Sequence, residues 1–341
     1  MMFVNCRKIH RRKGTEIMKV IVIGLGSMGK RRIRLIRKYD ETIEICGIDT
    51  SGERREQAKL EYNIETLDSL DRVAEDAYEC AFVSTSPLSH SSLIQLCLQK
   101  NMHVFTELNL IADGYDANMK LAAEKGKILF LSSTFLYREE INYIDKAVCK
   151  SLCPVSYMYH IGQYLPDWHP WEGYRDYFVG DRRTNGCREI FAIELPWILH
   201  TFGAVKAVHT VKGRNTGLAI DYPDNYLVTL EHNNGNRGVL AVDVVSRKAV
   251  RNLEVFSEDL YLAWGGTPES LRYYDYERKE EIPVDLYETI ERKEGYDSFI
   301  IENSYFHEVE AFFAQVKEQK VPAYDFEKDK KILALIDEIE R

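Results

Sequence analysis

The segment Lys19–Gly29, KVIVIGLGSMG, decides the fold of the first half of the chain. Its first five residues predict a buried strand, and the glycines then lead into a helix. In this arrangement Gly24 permits a tight turn, Gly26 lets a pyrophosphate approach the backbone, and Gly29 allows close packing of helix on sheet. Asp49 ends the next predicted strand about 20 residues later, where a carboxylate accepts hydrogen bonds from ribose hydroxyls. The segment therefore predicts a dinucleotide-binding unit.

The charges near the end of the second strand distinguish two cofactors. The Asp49 carboxylate would repel the ribose phosphate of NADP at close range. Arg54 and Arg55 follow closely and could face that phosphate, but they also suit the exposed first turn of a helix. We therefore expect NAD, with NADP as the alternative.

Short apolar runs alternate with amphipathic stretches from Met18 to about Ser133. The predicted strands are 19–24, 43–49, 81–84, 103–106 and 128–132. The predicted helices are 31–39, 52–62, 91–100 and 115–125. This alternation predicts an α/β fold, with a doubly wound parallel sheet covered by helices on both faces, over a Rossmann domain of residues 18–136.

The pattern changes after Tyr137. Longer alternating runs, typical of antiparallel strands, occupy 155–162, 205–212, 226–232, 238–246 and 253–256. Helices are predicted at 139–150, 190–202, 305–318 and 327–341. We expect residues 137–341 to form an α+β domain with an open, mostly antiparallel sheet that carries the substrate site. The open sheet is also the expected interface of a homo-oligomer, a dimer or tetramer.

Composition restricts the possible partners. The 341-residue chain has 29% charged residues of both signs, interspersed, and a net charge of −9, which argues against nucleic-acid or anionic-membrane binding. No apolar run approaches the ~18 residues that span a bilayer. The seven cysteines form no Cys-x-x-Cys pair and are typical of reduced, buried side chains. We therefore expect a cytoplasmic protein without a metal site.

The first 17 residues, MMFVNCRKIHRRKGTEI, form a separate basic segment. They contain five Lys or Arg against one Glu, and they lack the apolar run of a secretion signal. We expect a disordered tail or an extension that is not part of the folded domain, with a functional basic arm as the alternative.

Two further segments carry a family resemblance. The sequence VSTSPLSH at 83–90 and the sequence NMHVFTELN at 101–109 resemble the Gfo/Idh/MocA family, which includes glucose-fructose oxidoreductase and inositol dehydrogenase. The similarity extends over nearly the whole chain from Met18. It implies a Rossmann domain followed by an open-sheet domain, and nicotinamide-dependent oxidation or reduction of a sugar, cyclitol or related polyol.

The resemblance and the strand ends together define an expected cofactor site. The residues expected to line it are Gly24, Gly26, Ser27, Met28, Gly29, Asp49, Thr85, Ser86, Pro87, His90 and Glu107. His90 and Glu107 follow strands on the cofactor side. Simple capping of loops is the alternative role for these two.

The chain departs from the family at its usual catalytic lysine. Members usually carry Glu-Lys-Pro after the fifth strand, and the lysine assists proton transfer; the matching residues here are Glu107, Leu108 and Asn109. Leucine cannot carry a proton. The family also places an Asp and a His on a later helix, and counting from Gly186 puts Ile190 and Glu194 at these positions. Glu194 is thus a candidate for the catalytic group, and Glu107 is a further candidate.

An aromatic and charged loop is the expected substrate site. Between 164 and 178 it contains Tyr164, Trp168, His169, Trp171, Tyr174, Arg175, Asp176, Tyr177 and Phe178. Rings with polar tips suit a carbohydrate. Histidine, with an ordinary pKa of about 6.5, moves protons readily near neutrality, so His169 is the first candidate for the missing lysine's role. The expected substrate-binding residues are Trp168, His169, Tyr174, Arg175, Arg188 and Glu189. The alternative for the aromatic loop is that its rings pack at a domain boundary. The alternative for Arg188 and Glu189 is a solvated first turn of a helix.

These observations predict an NAD-dependent oxidoreductase that transfers hydride between nicotinamide and a carbinol carbon of a sugar or sugar derivative. The stretches 165–179 and 188–197 are similar to a subgroup associated with bacterial surface-glycan synthesis. Two alternatives stay open. One is an enzyme that uses NAD transiently for epimerisation or elimination, and the other is an NAD-binding sensor without turnover, which the leucine at 108 favours.

Overall fold

The computed structural model describes residues 17–169, 172–293, 295, 297–318, 322 and 324–341. The expectation for residues 1–16, and that for Trp171, lie outside the described residues. Within the described part of the chain, no helix combines the length and apolar character needed to cross a membrane.

The first domain contains a six-stranded parallel sheet in the order β3-β2-β1-β4-β5-β6. Its strands are β1 (Lys19–Ile23), β2 (Glu44–Ile48), β3 (Glu65–Leu67), β4 (Cys80–Val83), β5 (His103–Thr106) and β6 (Leu129–Leu131). Its helices are α1 (Ser27–Tyr39), α2 (Gly52–Tyr62), α3 (Pro87–Gln99) and α4 (Tyr115–Lys125). The strand order reverses beside β1, and this is where dinucleotides bind in such sheets. The doubly wound parallel sheet is confirmed.

The carboxyl ends of the central strands lie at one edge of the sheet. Ile23 pairs with Ile48 on one side and with Val83 on the other, and Val83 pairs with Thr106. The residues that follow these strands therefore lie along one edge, which brings Gly24, Asp49, Ser84 and Glu107 together although they are far apart in sequence.

The second domain contains an eight-stranded sheet in the order β14-β13-β12-β11-β7-β10-β9-β8. Its strands are β7 (Ser156–Gly162), β8 (Val205–Gly213), β9 (Asn225–His232), β10 (Arg237–Asp243), β11 (Val250–Phe256), β12 (Tyr261–Trp264), β13 (Arg272–Asp275) and β14 (Glu280–Pro283). Neighbours are antiparallel except for β7 and β10. The predicted mostly antiparallel sheet is confirmed.

Four helices complete the fold. They are α5 (Glu139–Lys150), α6 (Gly186–Phe202), α7 (Glu302–Glu318) and α8 (Phe326–Glu340). The buried rings of Phe312 and Phe313 on α7 pack against Phe82 and Phe105 of the first sheet, with ring centroids 5.2–5.9 Å apart. The chain thus returns to the Rossmann sheet after completing the second domain, and α7 couples the two domains.

One face of the second sheet carries exposed apolar side chains. Met158 pairs with Val239, and Leu227 pairs with Val211. Directly paired residues share a face, and these four are 43–71% exposed. The opposite face is buried beneath α6.

Candidate active site

The glycine turn has the geometry that the sequence predicts. Gly24 has φ +89°, and a Cβ there would lie 2.5 Å from the Ser84 carbonyl oxygen. A Cβ on Gly29 would lie 1.8 Å from the carbonyl oxygen of Gly24, so helix α1 needs glycine to approach the turn. A Cβ on Gly26 would meet nothing within 4 Å. The space beside Gly26 therefore allows a ligand to reach the backbone.

Two helices begin at this edge without a capping side chain. Gly26 precedes α1 and Ser86 precedes α3, and neither helix has a side-chain hydrogen bond at its N-cap. The first turn of α1 also lacks an acidic residue. Uncapped helix N-termini offer N–H groups and a positive dipole end to an anion. The turn therefore fits the pyrophosphate of a dinucleotide.

Asp49 lies where a ribose would bind. Its Oδ2 accepts a hydrogen bond from the Leu25 amide at 2.8 Å, and its Oδ1 accepts one from the Ser51 amide at 2.8 Å. These bonds fix the carboxylate beside the glycine turn, and each oxygen keeps a second lone pair for a hydroxyl. The carboxylate therefore also suits the ribose part of the cofactor.

The two nearby arginines differ in their contacts. Arg55 Nη1 donates to the carbonyl oxygens of Asp49 and Thr50 at 2.7 and 2.9 Å. Arg54 is exposed, and its Nη1 lies 3.7 Å from Asp49 Oδ2. Arg55 therefore supports the turn after β2, while Arg54 partly offsets the charge of Asp49.

Glu107 is held by a buried ion-pair network. Arg32 of α1 contacts both Glu107 oxygens, at 2.6 and 2.9 Å, and also binds Glu308 of α7 at 2.9 Å. Ser132 and the Ser133 amide also donate to Glu308. Burial opposes the charge of Arg32, but the carboxylates of Glu107 and Glu308 together raise the pKa of its guanidinium. Glu107 is thus held at the cofactor edge by the Arg32 guanidinium.

His90 is buried behind the same edge. Its Nε2 lies 2.9 Å from the Thr85 carbonyl oxygen, which only accepts, so Nε2 carries the proton. Its Nδ1 lies 2.6 Å from Asn109 Oδ1, and the neutral ring requires the Asn109 amide to be turned so that its NH2 group donates to Nδ1. Burial lowers the pKa of His90, which keeps the ring neutral. His90 therefore ties the loop after β4 to the segment after β5, and so positions Thr85 and Ser86 rather than moving protons.

Two predicted substrate residues, His169 and Glu189, lie near Tyr177 at the start of α6. The His169 ring stacks on Tyr177 with centroids 4.3 Å apart, and its Nδ1 lies 3.5 Å from Glu172. Glu189 lies in the first turns of α6, and burial raises the pKa of its carboxyl to about 7. The structure brings His169, Tyr177 and Glu189 together as the His169 cluster, which is named by these three residues below.

The His169 cluster adjoins the cofactor edge. Arg188, next to Glu189, donates from Nε to the Leu110 carbonyl oxygen at 2.6 Å. Leu110 follows the Glu107–Asn109 segment directly. The first turn of α6 therefore touches the chain that leaves β5, which brings the start of this helix close to the cofactor edge.

Glu194 and Arg188 lie within closed networks. Glu194 is buried and accepts hydrogen bonds from Tyr159, Trp197 and Arg251 at 2.9, 2.7 and 3.0 Å. Arg188 binds Asp337 of α8 at 2.8 Å, and also Glu340. These contacts favour packing of α6 against β7, β11 and α8. The predicted catalytic role of Glu194 and the predicted substrate role of Arg188 stay predictions.

The other loop residues have separate surroundings. Trp168 donates from Nε1 to the Gln163 carbonyl oxygen at 3.3 Å, and its ring lies beside Gly186. The Tyr174 hydroxyl accepts from the Ala219 amide at 3.1 Å. Arg175 lines an open depression with Arg182 and Asp221. Leu108 packs partly buried against the core and offers no polar atom. Among described residues, no group of three His, Cys, Asp or Glu could hold a metal.

Sequence reasoning missed Arg32 and Glu308. Both are completely buried, although the sequence shows Arg32 only as one of several arginines on α1. The sequence signal that could have indicated burial of Arg32 was its position next to Ile33, on the face that α1 turns towards the sheet. From the sequence, Tyr177 was named only as one of the aromatic residues of the loop and was assigned no role.

The fold and this site define an NAD-binding Rossmann domain joined to a second domain with a mostly antiparallel sheet. Residues 18–133 match the profile of a family described as "Oxidoreductase family, NAD-binding Rossmann fold", the Gfo/Idh/MocA family. The match covers the first domain, which therefore resembles the NAD-binding domain of the Gfo/Idh/MocA oxidoreductases; this confirms the predicted resemblance and the prediction of NAD. No curated protein matches the chain.

Solved structures share the fold across both domains. Levoglucosan dehydrogenase, in complex with NADH and L-sorbose, is 13% identical, with 95% of each chain covered and a TM-score of 0.79. UDP-N-acetylglucosamine 3-dehydrogenase from Acidithiobacillus ferrooxidans is 18% identical, with 94% of this chain and 96% of that chain covered and a TM-score of 0.72. A protein from Desulfitobacterium hafniense described as an NADPH-dependent oxidoreductase is 13% identical, with 94% of each chain covered and a TM-score of 0.79.

Proposed function

We propose that this protein is an NAD-dependent oxidoreductase that acts on a CH–OH group of a sugar or sugar derivative. The observation that carries the proposal is the contact between the two domains beside the cofactor edge: the uncapped glycine turn and Asp49 lie on one side, and the start of α6, which carries Glu189, lies on the other. The contact between Arg188 and the Leu110 carbonyl oxygen, 2.6 Å long, joins the two sides.

Each side of this contact has a distinct task. The N–H groups at the start of α1 bind the pyrophosphate, and Asp49 accepts hydrogen bonds from the adenine ribose. Glu107, fixed by Arg32, orients the groups at the end of β5. The bound nicotinamide supplies the hydride chemistry, and the second domain supplies the group that holds the hydroxyl and its proton. Leu108 cannot do this, so the His169 cluster takes the place of the family's lysine.

NAD rather than NADP is the preferred cofactor in this proposal. Asp49 is held beside the turn by two amides, and its negative charge opposes a second phosphate on the ribose. Arg54, 3.7 Å from Asp49, is the residue that would accommodate NADP if the preference were reversed.

The chemistry of the His169 cluster supports a carbohydrate substrate. His169 and Tyr177 present stacked rings beside carboxyl and hydroxyl groups, a combination suited to the C–H faces and hydroxyls of a sugar. Solved structures with the same fold include dehydrogenases of levoglucosan and UDP-N-acetylglucosamine. We extend this to a sugar intermediate of surface-glycan synthesis in the cytoplasm.

The open sheet face supports a homo-oligomer. Met158, Val211, Leu227 and Val239 form an exposed apolar patch on paired strands. A patch of this kind is stabilised by covering it with another protein surface. A second copy of the chain, with the same face, is the proposed cover in a dimer or tetramer.

A second candidate function is an NAD-binding sensor without turnover. The observation that favours it is the state of three positions that could carry a proton. Leu108, at the position of the family's lysine, has no group that can bind a proton. Glu107 is held by Arg32, and Glu194 already accepts three hydrogen bonds. In this case NADH would bind but no sugar would change its redox state.

Binding and turnover assays separate these functions. Calorimetric titration with NADH and NADPH tests the cofactor, and nicotinamide fluorescence after addition of NAD with levoglucosan or UDP-N-acetylglucosamine tests oxidation. We expect micromolar or tighter NADH binding and reduction of NAD by at least one of these sugars. Binding of NADH with no redox change for any sugar that demonstrably binds would favour the sensor.

A further inference from the structure

Two buried polar atoms, one in the first turns of α6 and one in the loop before it, have no hydrogen-bond partner among the described residues. They are Oε2 of Glu189 and the hydroxyl oxygen of Tyr177. Glu194, only five residues further along the same helix, has three donors. Buried polar atoms in folded proteins are almost always paired, so two unpaired ones in the same region indicate a place for a polar ligand.

The two unpaired groups influence each other electrostatically. After burial itself, the charge of Glu189 is the largest cause that raises the pKa of Tyr177. The Tyr177 ring is held between His169, with stacked centroids 4.3 Å apart, and the edge of Phe178 at 5.5 Å. The tyrosine ring is therefore held in place within electrostatic reach of Glu189, and the two side chains offer one unused donor and one unused acceptor.

A hydroxyl group matches this pair. It accepts one hydrogen bond and donates another, so it satisfies Tyr177 O–H and the Glu189 carboxylate at once. A carboxylate or phosphate ligand would meet Glu189 as a like charge, and among the described residues no cation forms an ion pair with Glu189. The geometry therefore selects a neutral hydroxyl at this point.

We propose that Glu189 and Tyr177 bind the reacting hydroxyl of the sugar, and that Glu189 is the proton carrier of the reaction. This inference rests on the proposed function. In the oxidation direction the carbinol C–H bond breaks and its hydride goes to NAD, the O–H bond breaks and its proton goes to Glu189 Oε2, and the carbon–oxygen bond becomes a carbonyl. In reduction each transfer is reversed. Tyr177 donates a hydrogen bond to the same oxygen throughout.

The environment of Glu189 suits this task. Burial raises the pKa of its carboxyl to about 7, so near neutrality it exists in both forms and can accept or donate a proton. His169 then acts as a positioning residue, because its ring supports Tyr177. This assignment differs from the sequence-based preference for His169 as the carrier.

The first test is independent of any sugar. Difference infrared spectra of the NADH complex, recorded across a pH titration, report the protonated carboxyl band. We expect a carboxyl that titrates near pH 7 in wild-type protein and in the exposed control variant Glu310→Gln, and its loss in Glu189→Gln. The same titrating band in Glu189→Gln and wild type would overturn the proposal.

The second test uses NAD with levoglucosan and UDP-N-acetylglucosamine as probes. In Glu189→Gln we expect kcat to fall by about 10²–10⁴ with NADH affinity unchanged, and the rise of the oxidation rate with pH near 7 to disappear. In Tyr177→Phe we expect kcat to fall about tenfold, the worth of one hydrogen bond. In His169→Asn the oxidation rate should keep its wild-type dependence on pH. Glu189→Gln with a wild-type rate and pH profile would overturn this proposal alone, whereas wild-type protein that oxidises neither probe would contradict the proposed function.

Discussion

The guanidinium of Arg32 donates hydrogen bonds to both oxygens of Glu107, with Nε 2.6 Å from Oε1 and Nη2 2.9 Å from Oε2. The same guanidinium reaches Glu308 of α7 at 2.9 Å. One side chain in the helix that follows the glycine turn thus connects the end of β5 to a helix from the far end of the chain. This network holds α7 against the cofactor edge.

Removal of Arg32 should destabilise the fold strongly. Arg32→Met would leave the carboxylates of Glu107 and Glu308 buried without their cation, and breaking a buried pair in this way costs about 3–5 kcal/mol. Urea denaturation measures the free energy of unfolding. The exposed control Lys59→Met, which breaks a surface pair with Glu56, should lose at most ~1 kcal/mol. Equal losses in the two variants would show that the buried network is not a stabilising element.

Asp49 should determine the choice of cofactor. We expect wild-type protein to bind NADH more tightly than NADPH, because the Asp49 carboxylate accepts from ribose hydroxyls and repels a phosphate. Asp49→Ala should weaken NADH binding about tenfold or more, equal to ~1.4 kcal/mol. It should also reduce the difference between the affinities for NADH and NADPH. Calorimetric titration of both cofactors measures this, with the exposed Glu56→Ala as control. Tighter binding of NADPH, unchanged by Asp49→Ala, would reverse the assignment.

The glycine turn was predictable because its determinants are local. Gly24, Gly26, Gly29 and Asp49 act through backbone conformation and strand ends, and the open space at Gly26 was implied by the spacing alone. Arg32 and Glu308 are 276 residues apart, and no local pattern connects them. Only the folded chain shows that they meet.

Errors in element boundaries had consequences for the site. Helix α6 begins at Gly186 rather than near 190, because Asn185 caps it by accepting from the Arg188 amide. Glu194 therefore lies in the middle of the helix, facing the buried sheet, and not in an accessible first turn. The short strands β12–β14 and β3 have three or four residues each, too few for an alternating pattern to be recognised.

Asp329 should make stability depend on pH. Burial raises the pKa of this α8 carboxyl from 3.8 to about 6, although Tyr115 and Tyr324 donate to it at 2.5 and 2.7 Å. Between about pH 4 and pH 6 the unfolded chain has lost this proton while the folded protein keeps it, so this group lowers the free energy of unfolding as pH rises.

The variant Asp329→Asn isolates this effect, since asparagine keeps an acceptor oxygen but does not ionise. Relative to wild type, its free energy of unfolding should rise by roughly 2–3 kcal/mol from about pH 4 to about pH 7. Urea denaturation at several pH values measures the difference. Two curves that run parallel across this range would contradict the prediction.

The exposed sheet face should control assembly. Leu227→Glu combined with Val239→Glu places charges on the apolar patch, and we expect the oligomer to dissociate to monomers with the fold intact. Sedimentation velocity measures the change in mass. Leu60→Glu, at a position 87% exposed on α2, is the matched control and should leave assembly unchanged. A wild-type mass in the double variant would exclude this face as the interface.

Transfer of deuterium from labelled NADH to a sugar tests the central claim most directly. The protein is mixed with NADH that carries deuterium at its reactive carbon and with a ketose such as L-sorbose, and the sugar is analysed by mass spectrometry. An NAD-dependent sugar oxidoreductase should give a sugar alcohol that contains one deuterium at the reduced carbon. If NADH and the sugar both bind to the protein and the recovered sugar contains no deuterium, the protein is not an oxidoreductase for that sugar, and the same result for every sugar that binds would contradict the account.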